Sequence, residues 1–138
     1  LPMWLREREI ETRQVEPVDL LKAEKLPPYR STWMRPTGKL PSDERIHQAL
    51  LLYVSDMGLL GAAVNPHEVN FMSKKFQSAS LDHVMWFHGK VNFNNWILHH
   101  MHSPISQNAR GFSRGSIYTK SGKLLASTAQ EGLMRIWD

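Results

Sequence analysis

The chain of 138 residues contains no cysteine. This absence excludes disulfide bonds and thiolate metal sites within the chain, but it does not fix a cellular compartment. Basic residues do not cluster either, because no run of Lys and Arg exceeds two residues although the formal net charge is +4. The sequence therefore shows no basic tract for nucleic acid, and we predict no nucleic-acid partner.

A long hydrophobic run is also lacking. The most apolar segment, residues 49–64, is interrupted by Ser55 and Asp56 and is shorter than the roughly 20 residues that cross a bilayer. No membrane span is therefore predicted. Hydrophobic residues make up 41% of the chain and charged residues 22%, which is typical of a globular domain with its own core. We predict a single domain over residues 1–138.

The pattern of residues predicts short strands, then one helix, then longer strands. Residues 1–41 form an N-terminal segment with short strands and a loop. A helix is predicted over 42–65, with Ser42 as its N-cap. Apolar residues recur along this helix at spacings of three and four, which predicts a buried face. That face consists of Ile46, Leu50, Tyr53, Met57, Leu60 and Val64.

The residue pattern over 77–137 predicts a four-stranded antiparallel region. The candidate strands are 77–88, 96–103, 109–120 and 123–137, with a hairpin turn at 120–123. Because strands and helices do not alternate, the sheet should be largely antiparallel and the class α+β. The simplest packing is one antiparallel sheet wrapped around one long central helix.

Asp56 is the one charged residue between Arg45 and Glu68, in the most apolar part of the chain. A buried carboxylate is costly unless it is hydrogen-bonded, paired or protonated. Such groups concentrate at functional sites, where they act as bases. We therefore predict Asp56 as a buried general base. The structural alternative is that Ser55 and Asp56 cap a second helix beginning at Met57.

Strand parity supplies two polar partners for Asp56. In a regular last strand, Gln130 lies on the less charged side, which should face the helix. In a regular strand from Gln77, Ser80 shares a face with Asp82. A hydroxyl and an amide that converge on a carboxylate can orient one water molecule while the carboxylate accepts its proton. The alternative for Gln130 is a bond to a backbone group.

Histidines provide weaker candidates. His99, His100 and His102 suggest a metal site, but on a strand only two of them share a face, and zinc normally needs three or four ligands. A polar or interface face is favoured, and no metal is predicted. On a regular strand His83 and His88 face opposite ways, so they form no constellation.

Arg110 and Arg114 alternate with Gly111 and Gly115 on one predicted strand. Glycines there allow another backbone or a ligand to approach closely. The two arginines are candidates for contacts with phosphate. A solvated or paired strand face is the alternative.

Three segments of the chain resemble a known family. RIHQALLLYVSDMGLL, SLDHVMWFH and ARGFSRGSIYTKSGKLLASTAQEGLMR occur in that order and are similar to the C-terminal half of the type II acyl-CoA thioesterases. Members of that family contain two hotdog domains in tandem, and in each an antiparallel sheet wraps one long helix. The resemblance implies a hotdog fold and hydrolysis of fatty acyl-CoA to fatty acid and CoA. It implies no metal, no covalent intermediate and no cofactor, since CoA is part of the substrate.

The resemblance also assigns residues and partners. By motif, the family's catalytic Asp, hydroxyl residue and Gln fall on Asp56, Ser80 and Gln130, and many relatives have Thr in place of Ser80. Arg110 and Arg114 become candidates for binding the phosphates of CoA. The first hotdog domain of the family has no counterpart here, so the expected partner is a separate N-terminal hotdog half or a second copy of this chain.

Alternatives to this interpretation follow from the same fold. A lone hotdog half could be inactive, or could serve as a non-catalytic acyl-CoA-binding or assembly domain. A hotdog hydratase or dehydratase acting on acyl thioesters is a further alternative. The expected location is intracellular, and peroxisome and cytoplasm are both allowed.

Overall fold

A computed structural model describes residues 9–19, 21–69, 71 and 73–137. Residues 1–8 of the predicted N-terminal segment lie outside the described residues. The elements in chain order are β1 (Ile10–Gln14), β2 (Tyr29–Pro36), α1 (Glu44–Ser55), α2 (Leu59–Val64), β3 (Phe76–Ser80), β4 (Val84–Phe87), β5 (Ile97–Gln107), β6 (Arg110–Thr119) and β7 (Leu124–Ile136). This order, in which helices separate the first short strands from the later strands, confirms the predicted α+β class.

The strands form one antiparallel sheet in the order β1-β2-β5-β6-β7-β3, with β4 also paired to β7. Strand β3 pairs with Gly132–Ile136 and β4 with Ala126–Ala129. Both therefore lie along the same edge of β7. The predicted strand over 77–88 is thus two strands, separated by Leu81–His83, and the predicted strand over 96–103 continues to Gln107.

Asp82 accounts for the break between β3 and β4. Its Oδ1 accepts a hydrogen bond from the Glu131 N–H at 2.6 Å, in place of a backbone carbonyl. Beyond the break the alternation of faces is shifted by one residue. Ser80, although exposed, contacts the buried Gln130 from the inner side of the sheet, and Met85 is the next residue on that side, whereas Val84 is 45% exposed. The prediction of a regular strand through Ser80 and Asp82 is therefore wrong, because β3 ends at Ser80 and β4 begins at Val84.

The predicted helix over 42–65 is divided into α1 and α2. Helix α1 begins after Asp43, whose carboxylate accepts a hydrogen bond from the Arg45 N–H at 3.0 Å, so Asp43 and not Ser42 is the N-cap. Gly58 separates the two helices with a φ of 79°, a left-handed conformation that glycine adopts without steric cost. Asp56 therefore lies in a turn between helices.

Helix α1 buries a different face from the one predicted. Its buried residues are His47, Leu51, Val54 and Ser55. Ile46, Tyr53 and Met57 of the predicted face are 42%, 67% and 42% exposed. Leu60 and Val64 of the predicted face are buried on α2, so the prediction holds there. It fails for Ile46, Tyr53 and Met57, because both sides of α1 are apolar and periodicity alone could not choose between them. An apolar side of α1 is consequently left exposed.

The main hydrophobic core lies between α1 and the concave side of the sheet. It consists of Ile10, Met34, Leu51, Val54, Val91, Phe93, Ile97, Ile117, Leu125 and Ala126. Helix α2 packs on β5 and β6 through smaller clusters. The segment Glu44–Val64, with 21 residues and a mean hydropathy of 1.2, is long and apolar enough to cross a membrane. A core helix meets the same criterion, and 50% of this segment's most apolar window is buried in the protein.

Candidate active site

The structure brings Asp56, Ser80 and Gln130 together. The Gln130 amide donates from Nε2 to Ser80 Oγ at 2.9 Å, and the Ser80 hydroxyl donates to Asp56 Oδ1 at 3.4 Å. The turn after α1 supplies the carboxylate, the end of β3 the hydroxyl, and the middle of β7 the amide. The three groups form one continuous hydrogen-bonded row, which we call the Asp56 row.

The Asp56 row runs from the core to the surface. Gln130 is 2% exposed and lies on the buried side of β7, as predicted from parity. Ser80 and Asp56 are exposed. The prediction of a buried Asp56 is therefore wrong, since Asp56 lies in the exposed turn between α1 and α2. Capping of a second helix does not explain Asp56 either, because the N-cap of α2 is Gly58, without a side-chain cap.

Two cavities meet at Asp56 and Ser80. The first, of about 310 Å³, is also lined by Tyr53 and Leu81. The second, of about 440 Å³, is also lined by Arg30 and Gln130. Asp56 and Ser80 therefore present their oxygen atoms to an open groove, which is lined by both apolar and polar side chains.

His83 extends the Asp56 row inward, and sequence reasoning missed it. Its Nδ1 lies 2.7 Å from Gln130 Oε1, and its Nε2 lies 2.8 Å from Ser55 Oγ. Ser55 Oγ also lies 2.7 Å from the Leu52 carbonyl oxygen. The alternation of side chains along an assumed regular strand predicted no partner for His83. An Asp in the middle of the predicted strand, Asp82, was the signal of a break.

A neutral polar layer lies beneath the Asp56 row. His99 is fully buried, and this burial, with smaller electrostatic contributions from His83 and His100, lowers its pKa to about 3. The ring nitrogens of His99, Ser113 Oγ and Thr128 Oγ1 are buried without hydrogen-bond partners among the described residues. His99 is therefore neutral at physiological pH.

Arg30 brings a cation to the second cavity. It is the second residue of β2, and its side chain packs against Gly58 and Gly61 at the helix break. Its guanidinium donates to Asn65 Oδ1 at 3.4 Å, and burial lowers its pKa. Sequence reasoning did not single out Arg30, because its position on a strand does not by itself predict which side of the sheet it faces.

Arg110 and Arg114 are not brought to the Asp56 row. Gly111, Ser113 and Gly115 take the buried side of β6, so both arginines lie on the outer side. Arg110 pairs with Glu131 at 3.3 Å, and Arg114 stacks over the Phe112 ring at 5.5 Å. Their contact with CoA phosphates stays a prediction.

Two of the three clustered histidines, His100 and His102, have partners outside the Asp56 row. His100 Nδ1 lies 2.8 Å from Ser31 Oγ, and the ring of His102 stacks on Tyr29 with centroids 4.8 Å apart. His99 faces the opposite side of β5, as parity predicted. Among the described residues no three His, Asp or Glu side chains are arranged to hold a metal ion.

The chemistry available at this site is the orientation and deprotonation of a water molecule. A carboxylate can accept a proton, and a hydroxyl and an amide beside it can fix the position of the molecule that loses it. The open groove offers room for an extended substrate next to these groups.

Comparison with known proteins gives consistent matches. A family model described as acyl-CoA thioesterase matches residues 4–133. The chain is 40% identical over 111 residues to acyl-CoA thioesterase 2 of Haemophilus influenzae, covering 80% of this chain and 39% of that protein. It is 36% identical over 132 residues to acyl-coenzyme A thioesterase 8 of Mus musculus, covering 92% of this chain and 39% of that protein. The chain therefore spans about two fifths of the length of these curated relatives.

Solved structures confirm the predicted hotdog fold. An acyl-CoA thioesterase II from Mycobacterium marinum matches with a TM-score of 0.76 and 32% identity, covering 94% of this chain and 50% of that chain. A protein with a hotdog fold from Alicyclobacillus acidocaldarius matches with a TM-score of 0.70 and 15% identity, covering 94% of this chain and 47% of that chain. The second match is a likeness of fold alone.

Proposed function

Because the chain belongs to the acyl-CoA thioesterase family, we propose that it hydrolyses fatty acyl-CoA thioesters to free fatty acid and CoA in fatty acid metabolism. The observation that carries this proposal is the Asp56 row, in which Gln130 donates to Ser80 and Ser80 donates to Asp56. These groups open onto a groove with room for a thioester. The enzyme class proposed is a thioester hydrolase.

In the proposed mechanism, Asp56 is the general base. Ser80 and Gln130 hold a water molecule beside its carboxylate, and the water oxygen attacks the thioester carbonyl carbon as Asp56 takes a proton. The tetrahedral intermediate then collapses, the carbon–sulfur bond breaks, and the CoA sulfur receives that proton. Water and these side chains suffice, so the proposal includes no metal and no cofactor.

We further propose that a second hotdog domain covers this groove in the complete protein. Tyr53 and Leu81, which line the groove, are 67% and 54% exposed, and Met57 beside Asp56 is 42% exposed. Apolar side chains grouped around a functional groove are typical of a surface that another domain covers. The cover is an N-terminal hotdog half or a second copy of this chain, and it would exclude bulk water from Asp56.

Two further assignments are part of this proposal. Arg110 and Arg114 are the candidates for binding the phosphates of CoA, which requires CoA to extend over the outer side of β6. The location is intracellular. A relative named peroxisomal acyl-coenzyme A thioester hydrolase 1, from Saccharomyces cerevisiae, is 34% identical over 92 residues, covering 66% of this chain and 26% of that protein. Its name supports a peroxisomal location, while the cytoplasm is equally allowed by the sequence.

A hydratase or dehydratase is disfavoured by the surroundings of His83. Those reactions need a catalytic histidine paired with an acid, whereas His83 is bonded to the neutral side chains of Ser55 and Gln130. An assay of water addition to an enoyl-CoA separates this alternative from hydrolysis. Binding of acyl-CoA without turnover by the complete protein would instead identify an acyl-CoA-binding domain.

The test is the substitution Asp56→Asn in the complete protein, assayed on a long-chain acyl-CoA. We expect kcat to fall by at least about a hundredfold, the lower range for loss of a general base. Asp56 is exposed, so far-UV circular dichroism and Tm should match those of the wild type. Ser80→Thr, which keeps the hydroxyl, should stay active, whereas Ser80→Ala should not. An Asp56→Asn enzyme with near wild-type kcat would refute the assignment.

A further inference from the structure

We propose that His83 is a positioning residue that holds the Gln130 amide in the one orientation that matches the hydrogen bonds of the Asp56 row. This inference rests on the proposed function, because its consequence for activity requires that the row orients the attacking water. His83 touches Gln130 rather than Asp56, so it acts on the reaction through the orientation of the Gln130 amide.

The direction of the row follows from its outer end. An ionised carboxylate only accepts hydrogen bonds, so the Ser80 hydroxyl must donate to Asp56. With its one proton committed, Ser80 Oγ accepts from the Gln130 amide nitrogen. Gln130 Oε1 is thereby turned inward, where it needs a donor. His83 Nδ1, at 2.7 Å, is that donor and must carry a proton.

The inner end of the row is compatible with this tautomer. When Nδ1 of a neutral histidine carries the proton, Nε2 is an acceptor. The Ser55 hydroxyl has one proton and two acceptors within reach, His83 Nε2 at 2.8 Å and the Leu52 carbonyl oxygen at 2.7 Å. The proposal requires that this proton points toward Nε2. Ser55 is fully buried, and Gln130 is 2% exposed. Bulk water therefore has little access to either partner of His83.

Without His83, the Gln130 amide loses the donor that holds its oxygen inward and its nitrogen toward Ser80. The oxygen and nitrogen of an amide have nearly the same shape, so a flip by half a turn costs no space. After a flip, Gln130 would accept from Ser80, and the Ser80 proton would leave Asp56. The groups that hold the water would then present the wrong donors and acceptors.

Two near-isosteric substitutions separate this role from a structural one. The amide nitrogen of Asn lies close to the position of histidine Nδ1, and that of Gln lies close to Nε2. In the complete protein, we expect His83→Asn to retain kcat within about tenfold of the wild type. We expect His83→Gln and His83→Leu to lose about a hundredfold, typical of a misplaced reacting group. KM should change less than kcat.

His88 provides the matched control. It is exposed, and its Nε2 lies 2.8 Å from Ser127 Oγ, so it is a second histidine–serine pair on the same edge of the sheet. His88→Asn, His88→Gln and His88→Leu should keep the wild-type kcat. An active His83→Gln with an inactive His83→Asn would overturn the proposal, because the bond to Ser55 would then be the important one. Near wild-type kcat in all three His83 variants would overturn it as well.

A measurement independent of activity is neutron diffraction from crystals of the complete protein. The proposal requires a deuteron on His83 Nδ1 and the two deuterons of Gln130 on the atom facing Ser80. A deuteron on Nε2 alone, with a flipped Gln130, would overturn it. Because this result does not depend on turnover, it stands even if Asp56→Asn proves active and the proposed function fails.

Discussion

Two regions of this molecule are built on different principles. Strands β5, β6 and the central part of β7 form long ladders, with register shifts between His102 and Ile105 and between Ile117 and Tyr118. Along most of their length the side chains alternate between a buried and an outer side. The helix turn at Asp56–Gly58 and the strand break at Leu81–His83 are both interruptions of regular structure. We call the first the regular sheet and the second the interrupted region. The regular sheet buries neutral side chains, whereas the interrupted region carries most of the polar contacts of the candidate site.

The difference teaches where a hotdog domain can place chemistry. In a regular ladder the backbone groups bond to each other, and side chains can only point in or out. At the strand break, Asp82 substitutes for a backbone carbonyl, which allows Ser80 and His83 to face the same side of the sheet. Gln130 is the one group of the Asp56 row that the regular sheet supplies. The site is therefore assembled where two interruptions lie against one regular strand.

Acid stability tests the regular sheet and has the largest expected effect. Burial holds the pKa of His99 at about 3, whereas the ordinary value is 6.5. Between these values the unfolded chain binds a proton that the folded chain does not bind, so the free energy of unfolding falls as pH decreases from 6.5 toward 3. This loss reaches about 2 kcal/mol at pH 5, at about 1.4 kcal/mol per pH unit.

The variant His99→Asn should remove that loss. Chemical unfolding at pH 7 and pH 5 should show a difference between the two pH values that is smaller by about 2 kcal/mol than in the wild type. His88→Asn, at an exposed site, serves as the control for loss of one histidine. If the free energy of unfolding of His99→Asn changes between pH 7 and pH 5 as much as that of the wild type, His99 is not held neutral by burial. The regular sheet would then not differ from the interrupted region in burying only neutral side chains.

The regular sheet was largely predictable from the sequence. The period of two along 123–137 places Gln130 inside, and the structure agrees. The same period placed His99 opposite His100 and His102. These predictions succeeded because a regular strand has only two sides, and the backbone hydrogen bonds of neighbouring strands keep the alternation in register.

The interrupted region was not predictable by the same reasoning. A period of two, applied through Asp82, put Ser80 and Asp82 on one side and left His83 without partners. A period of 3.6 ran through Asp56 and could not reveal the turn that exposes it, nor which apolar side of α1 meets the sheet. Motif resemblance selected Asp56, Ser80 and Gln130 as candidates without depending on regular geometry, and the structure places the three side chains in contact. Their catalytic role stays a prediction.

Asp82→Ala tests whether the strand break maintains the Asp56 row. The substitution removes the acceptor for the Glu131 N–H at 2.6 Å. We expect a loss of about 1 kcal/mol in the free energy of unfolding, the typical contribution of one hydrogen bond. We also expect a loss of kcat of about tenfold, because a slip of the edge strand displaces Ser80 from Gln130. Asp82→Asn keeps an acceptor oxygen and should restore most of both. An Asp82→Ala enzyme with wild-type kcat would show that the row holds its geometry without the break.

The smallest expected effect concerns the outer side of the regular sheet. Arg110 pairs with Glu131 at 3.3 Å, and the two side chains are 50% and 35% exposed. Exposed ion pairs contribute little, so Arg110→Ala should change the free energy of unfolding by less than about 0.5 kcal/mol. If Arg110 also binds a phosphate of CoA, KM for acyl-CoA should rise in the complete protein while kcat is kept, and added salt should reduce the difference. An unchanged KM would leave Arg110 as half of a surface ion pair, and the chemistry of this domain would then lie wholly on the inner side of the sheet, at its interruptions.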